Sequence, residues 1–429
     1  MAFYMFVTFA ITAVLGFPIW AVLATSSFAA LTFGGTTPLV VIVQRMFTST
    51  DSFPLLAIPL FMLAGNLMET GGISKRLIDF CDSLVGSFTG GLSMVGVLAC
   101  MFFAAISGSG PATVAAIGGI LIPNLVAAGY NKAYAAALMS VAGAIGVIIP
   151  PSIPMVNFGI SGNVSISALF AAGFGPGILV GFVLMLVCYF TAKKYGYGKD
   201  RVTKFSIKHV WVSFKEAAWA LIMPIIVLGG IYGGVFTPTE AAGVAVVYAF
   251  FIGMFAHKEL KLGDMPDILM RSGKSTAMIM VIVASASGFG WIMTSERIPD
   301  MVAAALVSIS DKKIIILLLI NFMLLIIGCI MDTIASIIIL TPILLPTAIQ
   351  LGVHPVHFGI IMVVNLAIGM STPPLGVNLF VACGIAKLSI EGLVKKMGWL
   401  LLANFVALLI ITYFEPISLV VPRLIGIIR

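Results

Sequence analysis

The chain has 429 residues, 61% of them hydrophobic and 9% charged, with a mean hydropathy of +1.18. Ordinary soluble domains carry about 25% charged residues, so a soluble enzyme is excluded and an all-α polytopic membrane protein is expected. The net charge of +7 is spread over short loops, which fits positive-inside topology and anionic lipid rather than nucleic acid.

Residues 3–33 form a first apolar stretch, bent at Gly16-Phe17-Pro18. It lacks a charged start and a small-residue cleavage site, so it is expected to be a retained helix and not a signal peptide. Thr36-Thr37-Pro38 opens a shorter segment, 38–48, for which a crossing and a flat interfacial position are both open. Pro54 to Met68 makes the next span, and 73–86 sets Lys75 and Arg76 among Leu77, Ile78 and Phe80, the two faces of an interfacial helix. The runs 92–106 and 113–127, at about 15 residues each, are short for a crossing. Joined by Ser107-Gly108-Ser109-Gly110-Pro111-Ala112-Thr113, they read as a re-entrant hairpin. Next come 133–149 and 153–161, two halves of a helix broken at Ile145-Gly146-Val147-Ile148-Ile149-Pro150-Pro151-Ser152, and a full span at 166–192.

Segment 193–215 holds Lys193, Lys194, Lys199, Arg201, Lys204, Lys208 and Lys215 against Asp200 alone, which assigns it to the cytoplasm. From there 217–235 crosses outward to Thr237-Pro238-Thr239-Glu240, 241–256 returns, and 275–294 crosses outward again. A second hairpin, 314–350, turns at Gly328-Cys329-Ile330-Met331-Asp332-Thr333. A second break follows at Ile368-Gly369-Met370-Ser371-Thr372-Pro373-Pro374, and the last span is 398–416, after Lys387, Lys395 and Lys396. The unit of polar tip plus Pro-Pro break thus occurs twice, with the topology count facing the two copies opposite ways: an inverted repeat of two re-entrant hairpins and two discontinuous helices.

Proline pairs remove backbone donors and stop a helix. Unpaired peptide groups at membrane depth survive only where protein, water or an ion satisfies them, and such breaks mark transporter sites. At the first tip Ser107, Ser109 and Thr113 offer hydroxyls while Gly108 and Gly110 let the chain turn. Helix amino ends favour an anion and carbonyl ends a cation such as Na⁺; close packing by small residues explains the same hydroxyls equally. Asp332 is the one acid in 314–349, either an N-cap or a cation ligand. Asn157, Ser161, Asn163, Asn365 and Asn378 on the broken helices suit substrate oxygens or helix-to-helix bonds. Glu240 reads as a helix cap, Arg297 as a surface charge, and His354 and His357 as loop residues. With all four histidines assigned to loops, no serine nucleophile has a base, and no GxxxxGK[ST] motif supports ATP use. The five cysteines lack CxxC spacing and read as packing residues.

Longer strings are family-specific. Asp51-Ser52-Phe53-Pro54, Ile149-Pro150-Pro151-Ser152-Ile153-Pro154-Met155, Gly233-Gly234-Val235-Phe236-Thr237-Pro238-Thr239-Glu240-Ala241 and Leu340-Thr341-Pro342 with Asp332 resemble the large membrane subunit of tripartite ATP-independent periplasmic (TRAP) transporters, the DctM-like family. The resemblance covers roughly 3–420 and includes His357-Phe358-Gly359 with Asn365-Leu366-Ala367-Ile368-Gly369. It implies an ion-transporter-superfamily fold in which a transport domain moves as an elevator against a scaffold. The transport domain would be 91–166 and 312–390, the scaffold 1–90, 167–311 and 391–429. It also implies a multi-pass protein of the bacterial inner membrane, a small four-helix membrane subunit and a periplasmic substrate-binding protein as partners, and Na⁺ at two sites. One Na⁺ site would use Ser107, Gly108 and Ser109 with carbonyls near Gly146 and Pro150; the other, Gly328, Asp332 and Thr333 with Met370, Ser371 and Thr372. The substrate would be an organic acid anion, a C4-dicarboxylate or a sialic-acid-type carboxylate, held near Ser109, Thr113, Ser152, Asp332 and Thr372, with Asn157 and Asn378 as further candidates. Gly110-Pro111-Ala112-Thr113 departs from the family's Ala-rich, acid-containing tip. A passive channel or scaffold subunit without ion coupling is the alternative.

Overall fold

The computed structural model describes residues 1–35, 37–198, 205–310 and 312–428, and within them the side chains of all but 306 and 307. Thr36 and the charges Lys199, Asp200, Arg201 and Lys204 of the basic segment lie outside the described residues. Among those described, every regular element is helical, and eight helices are long and apolar enough to cross a membrane. The pair Gly398–Tyr413 and Pro416–Leu424, bent by 59°, would make a ninth.

Two expected spans change, and the segment left open is settled by its length. The first apolar stretch is two helices, Ala2–Val14 and Ile19–Gly34, turned at Gly16 (φ +78°) and packed on each other, so that Gly34 lies against Tyr4 and Met1. Thirteen residues make about 20 Å of helix, short of a bilayer core of about 30 Å. Val40–Thr50 is shorter still and lies along Met265–Ser295. That long helix starts ten residues ahead of the predicted 275, because a hydropathy reading stops at Arg271 and Lys274 while the backbone continues through them. Helix Ile73–Val85 does have two faces: Ile73, Leu77 and Cys81 are buried against Gly91–Ser107 and Ile207–Tyr232, while Arg76 meets Glu259 at 2.7 Å.

The repeat is visible position by position. Hairpin legs Gly91–Ser107 and Gly110–Ala127 correspond to Lys313–Ile330 and Thr333–Gln350. The second leg of the first hairpin is 18 residues, longer than its apolar run because Gly110-Pro111-Ala112 is helical, proline being well suited to a first turn. Pro123 and Pro346 interrupt the second legs, Gly129 and Gly352 turn with positive φ, and Asn131 and His354 cap the helices that follow. These helices, Lys132–Val147 and Pro355–Gly369, end at the two Pro-Pro breaks and resume as Ile153–Gly162 and Val377–Ala386. Asn163 and Lys387 close them in left-handed conformations, and Ser165 and Ser389 cap what comes next.

The copies interlock. Ile153–Gly162 packs on Thr333–Gln350 of the other copy, and Val377–Ala386 packs on Lys132–Gly143. Phe158 and Phe358, both fully buried, meet with ring centroids 6.5 Å apart at this junction.

Of the remaining single-residue expectations, the five cysteines are buried and free, and Glu240 closes a capping box with Thr237. The histidines need correction. His354 is a helix N-cap, His209 lies in the first turn of Ile207–Tyr232, and His357 is not in a loop either: it sits buried in the first turn of Pro355–Gly369, its Nε2 3.2 Å from the carbonyl oxygen of Thr412. Sequence reading ended the loop too late because Pro355 favours a helix start as readily as a turn.

Gly328 and Gly369 bring the second hairpin against its broken helix at backbone contact: a methyl on Gly369 would lie 2.5–2.8 Å from Gly328 backbone atoms. Gly369→Ala is therefore expected to destabilise the protein by about 1–3 kcal/mol. Gly119→Ala, which would meet nothing within 4 Å, should be neutral or stabilising by up to about 1 kcal/mol. Thermal unfolding of the two variants in detergent measures the difference, and equal midpoints would contradict the packing.

Candidate functional site

Each hairpin tip is tied to the break that follows it by one backbone hydrogen bond. Ile153 N–H donates to Gly108 O at 3.4 Å, and Leu375 N–H donates to Cys329 O at 3.2 Å. Peptide groups stranded by the prolines thus find partners at the tips, as an apolar surrounding requires.

At the first tip Gly108 turns in the left-handed region (φ +59°), close under the Pro151 carbonyl, where a side chain would collide. Thr113 Oγ1 donates to Ser109 O at 2.8 Å and lies 3.0 Å from Ser107 Oγ. Gly146 presses on this knot: a methyl there would run into Thr113 Oγ1 and Ser109 O. Ser107, Gly108, Ser109, Thr113 and Gly146 are thus brought together, with the Pro150-Pro151 break alongside. Ser152 spends its hydroxyl inside the break, donating to Val147 O at 2.6 Å and capping Met155 N–H. Asn157 is buried and donates to Ile153 O, one turn back.

The second tip is organised by Asp332. Its Oδ2 accepts from Ile334 N–H at 2.9 Å and Ala335 N–H at 3.4 Å, the N-cap expected of it, and Ser336 Oγ donates to Asp332 O as Thr113 does to Ser109 O. Thr333 Oγ1 is buried without a partner, and Thr372 Oγ1 donates to Ile368 O. Ser371 goes elsewhere. It donates to Ser140 O at 2.7 Å on the first broken helix and accepts from Asn378 Nδ2 at 3.1 Å. Met370 O accepts the Asn378 N–H across the break, and the Asn378 carboxamide oxygen lies where a methyl on Gly110 would be 3.1 Å from it. The second break therefore reaches the first tip through Asn378. In this cluster Asn378 Oδ1 and Ser140 Oγ are both buried and unpaired, at a cost of about 1–3 kcal/mol each unless something binds them. Ser140 was missed by sequence reading, since a lone serine in an alanine-rich helix carries no signal of its own.

On the other side of the first tip lies a cavity of about 500 Å³. Ser107, Ser109, Pro111 and Ile153 line it from the repeat, Asn66 and Glu69 from Ala57–Thr70, and Arg271 and Lys274 from Met265–Ser295. The amino ends of Gly110–Ala127 and Ile153–Gly162 converge there, adding partial positive charge. Asn66 Nδ2 donates to Ser272 Oγ at 2.7 Å, joining the two opposing helices. Among the candidate substrate residues Ser109 lines this cavity; Thr113, Ser152, Asn157 and Asn378 lie behind it, and Asp332 and Thr372 belong to the other tip. Arg271 and Lys274 lie ahead of the span expected to begin at 275 and are not among the residues singled out from sequence. The polar spacing of Asn66 and Glu69, three apart in an apolar span, was the available signal for the facing wall.

Eight or nine candidate spans among the described residues and a twice-repeated broken-helix unit with polar tips are the architecture of a membrane permease. Residues 6–417 match the model of the tripartite ATP-independent periplasmic transporter, DctM component. The chain belongs to that family. It is 49% identical over 411 residues to the isethionate TRAP transporter permease protein DctMQ of Oleidesulfovibrio alaskensis, covering 95% of this chain and 64% of that longer one. With the C4-dicarboxylate TRAP transporter large permease protein DctM of Rhodobacter capsulatus it shares 40% identity over 403 residues, 91% of each chain. The crystal structure of the Alcanivorax borkumensis YdaH transporter has the same overall fold, with a TM-score of 0.63 at 16% identity over 97% of this chain and 100% of that one. The relatives are named as transporter permeases, not enzymes, in accord with the exclusion of catalysis from sequence.

If the cavity concentrates anions, a cysteine placed at Ser109 should react with an anionic methanethiosulfonate about tenfold or more faster than with a cationic one. The native cysteines are buried and give a low background. The Arg271→Gln/Lys274→Gln pair should abolish that preference, and Thr113→Cys should be protected from both reagents. Equal rates for the two reagents at Ser109→Cys would remove the anion assignment.

Proposed function

We propose that this chain is the large membrane subunit of a Na⁺-coupled importer of an organic anion, with the two hairpin and broken-helix units moving together against the remaining helices. The observation that carries this reading is the opposite polarity of the two sides of the first tip. Helix amino ends with Arg271 and Lys274, two cations against the single carboxylate of Glu69, face the cavity on one side. Carbonyl oxygens with the unpaired Ser140 Oγ and Asn378 Oδ1 face the interlocked repeats on the other. An anion suits the first and a hard cation, which takes oxygen ligands, suits the second. Each bound ion would offset the charge of its neighbour, and that mutual offset is a physical basis for coupling.

A Na⁺ ion would be held by Ser107, Gly108 and Ser109 with the carbonyls near Gly146 and Pro150, and the unpaired Asn378 Oδ1 is a further oxygen for it. At the second tip Asp332, the unpaired Thr333 hydroxyl and Thr372 supply oxygens, with Gly328 and Met370 close by; Ser371 serves the junction instead. The substrate class is a small organic anion. One relative is named for isethionate, a sulfonate, and another for C4-dicarboxylates, and a cavity holding Arg271 and Lys274 accommodates either acid group. Delivery by a soluble periplasmic binding protein and pairing with a small four-helix membrane subunit belong to the same reading. The longer isethionate relative leaves about a third of its length outside the match (64% covered), room for such a subunit in one chain.

Uptake into proteoliposomes by the chain with its partner subunits tests the proposal. Replacing Na⁺ by K⁺ should abolish concentrative uptake; an unchanged initial rate would favour the passive channel. Asp332→Asn keeps a capping side chain and is expected to raise the Na⁺ concentration for half-maximal uptake without loss of folded protein. An unaltered Na⁺ titration would leave Asp332 with the cap alone.

A further inference from the structure

We propose a second binding site, for the phosphodiester headgroup of an anionic phospholipid, at the basic ends of helices Ile166–Tyr195 and Gly398–Tyr413. A cavity of about 450 Å³ lies there, lined by Lys395, Lys396, Tyr134, Thr191, Tyr195 and Tyr197. A second hollow of about 320 Å³ shares Val187, Thr191, Tyr195 and Trp399 with it and adds Lys194. Lys395 and Lys396 thus line the first hollow and Lys194 the adjoining one, the Lys194 ammonium 5.6 Å from the centre of the Tyr195 ring.

The wall opposite the lysines is rigid and polar. Tyr197 stacks against Tyr130, Tyr134 and Tyr195 with centroids 4.9, 5.8 and 5.6 Å away. Tyr134 is 4% exposed, and its hydroxyl has only the neutral side chains of Cys188 and Thr191 beside it. A phosphate oxygen in the recess would give it a charged acceptor, a stronger partner than either. A phosphodiester between lysine ammonium groups and this hydroxyl meets charge and hydrogen-bonding needs together.

The surface below the recess distinguishes a lipid from a soluble phosphate. Trp399, Phe190 and Leu402 on the same two helices are 71%, 63% and 49% exposed, an apolar rail leading away from the headgroup position. Charge counting puts this end of both helices at the inner face, where anionic lipids and aromatic belts are found. The site also bridges parts of the fold. Tyr134 stands on the first broken helix, Lys395 and Lys396 follow the short helix Ile390–Val394 that packs on it, and Trp399 begins the last long helix. A lipid bound there would hold the repeats to the helix that follows them.

Native mass spectrometry of the full chain released from nanodiscs tests this, comparing phosphatidylglycerol with phosphatidylcholine. The wild type should retain phosphatidylglycerol preferentially. Lys395→Ala/Lys396→Ala should weaken retention about 30-fold, from two lysines near an anionic headgroup, while Lys395→Arg/Lys396→Arg restores it and Lys208→Ala/Lys215→Ala leaves it unchanged. Tyr134→Phe should weaken it by a smaller factor. Equal retention of the two lipids, or of phosphatidylglycerol by wild type and Lys395→Ala/Lys396→Ala, would overturn the site. Thermal stabilisation by inorganic phosphate matching that by phosphatidylglycerol would also overturn it, in favour of a soluble phosphate.

Discussion

The structure depends on how it satisfies peptide groups that two proline pairs leave without helical partners. A proline-interrupted helix at membrane depth exposes several donors and acceptors, each costing several kcal/mol in hydrocarbon. Here the answer is the same in both copies: a hairpin tip turns so that one carbonyl meets one stranded N–H, Gly108 O with Ile153 and Cys329 O with Leu375. Small residues make this approach possible. A methyl on Gly108, Gly146 or Gly369 would meet backbone or a tip oxygen, so tip and break can come together only where glycine stands.

That constraint has an electrical consequence. Holding a tip against a break puts two helix amino ends and two helix carboxyl ends within a few residues of each other. The amino ends of Gly110–Ala127 and Ile153–Gly162 look into the cavity with Arg271 and Lys274. The carbonyl side looks into the protein, where Ser140, Ser371 and Asn378 gather from both copies. Two charges of opposite sign can then be accommodated on either side of a single turn of chain, with no acidic cluster; among the described residues no group of three histidine, cysteine or acidic side chains is placed for a metal.

Sequence was a good guide where backbone chemistry alone decides the outcome. Proline pairs, glycine-flanked tips and long apolar runs have one physical reading in lipid, and the hairpins, the breaks and the capping roles of Asp332 and Glu240 follow from it. It was a poor guide where two distant segments must meet. Nothing in the text around Ser371 or Asn378 says that they reach Ser140, 231 and 238 residues away. Charge also misled at helix ends: Arg271 and Lys274 look like loop residues to any hydropathy measure, yet the helix through them is what carries them to the first tip. The first apolar stretch shows the converse, since hydropathy reports burial in lipid but not whether Gly16 bends the chain or folds it back.

The two tips do not face equal surroundings, although their backbones correspond. Beside the second hairpin lies a cavity of about 370 Å³ whose walls include Phe6, Phe9, Phe289, Met293, Met331 and Ile339. A charged ligand desolvated against such a wall would lose far more than apolar contacts return, whereas the first tip opens on arginine, lysine, glutamate and carboxamide side chains. Internal symmetry of the repeat is therefore broken by the helices around it, above all by Met265–Ser295, which presents Arg271 and Lys274 near one end and Phe289 and Met293 near the other. Of these two cavities among the described residues, the one at the first tip offers an anion a polar lining. Under the proposed rigid movement of the repeats, the apolar stretch of the same helix is a surface along which a loaded site could pass only with its charges balanced, which gives the neighbouring cation a reason to be there.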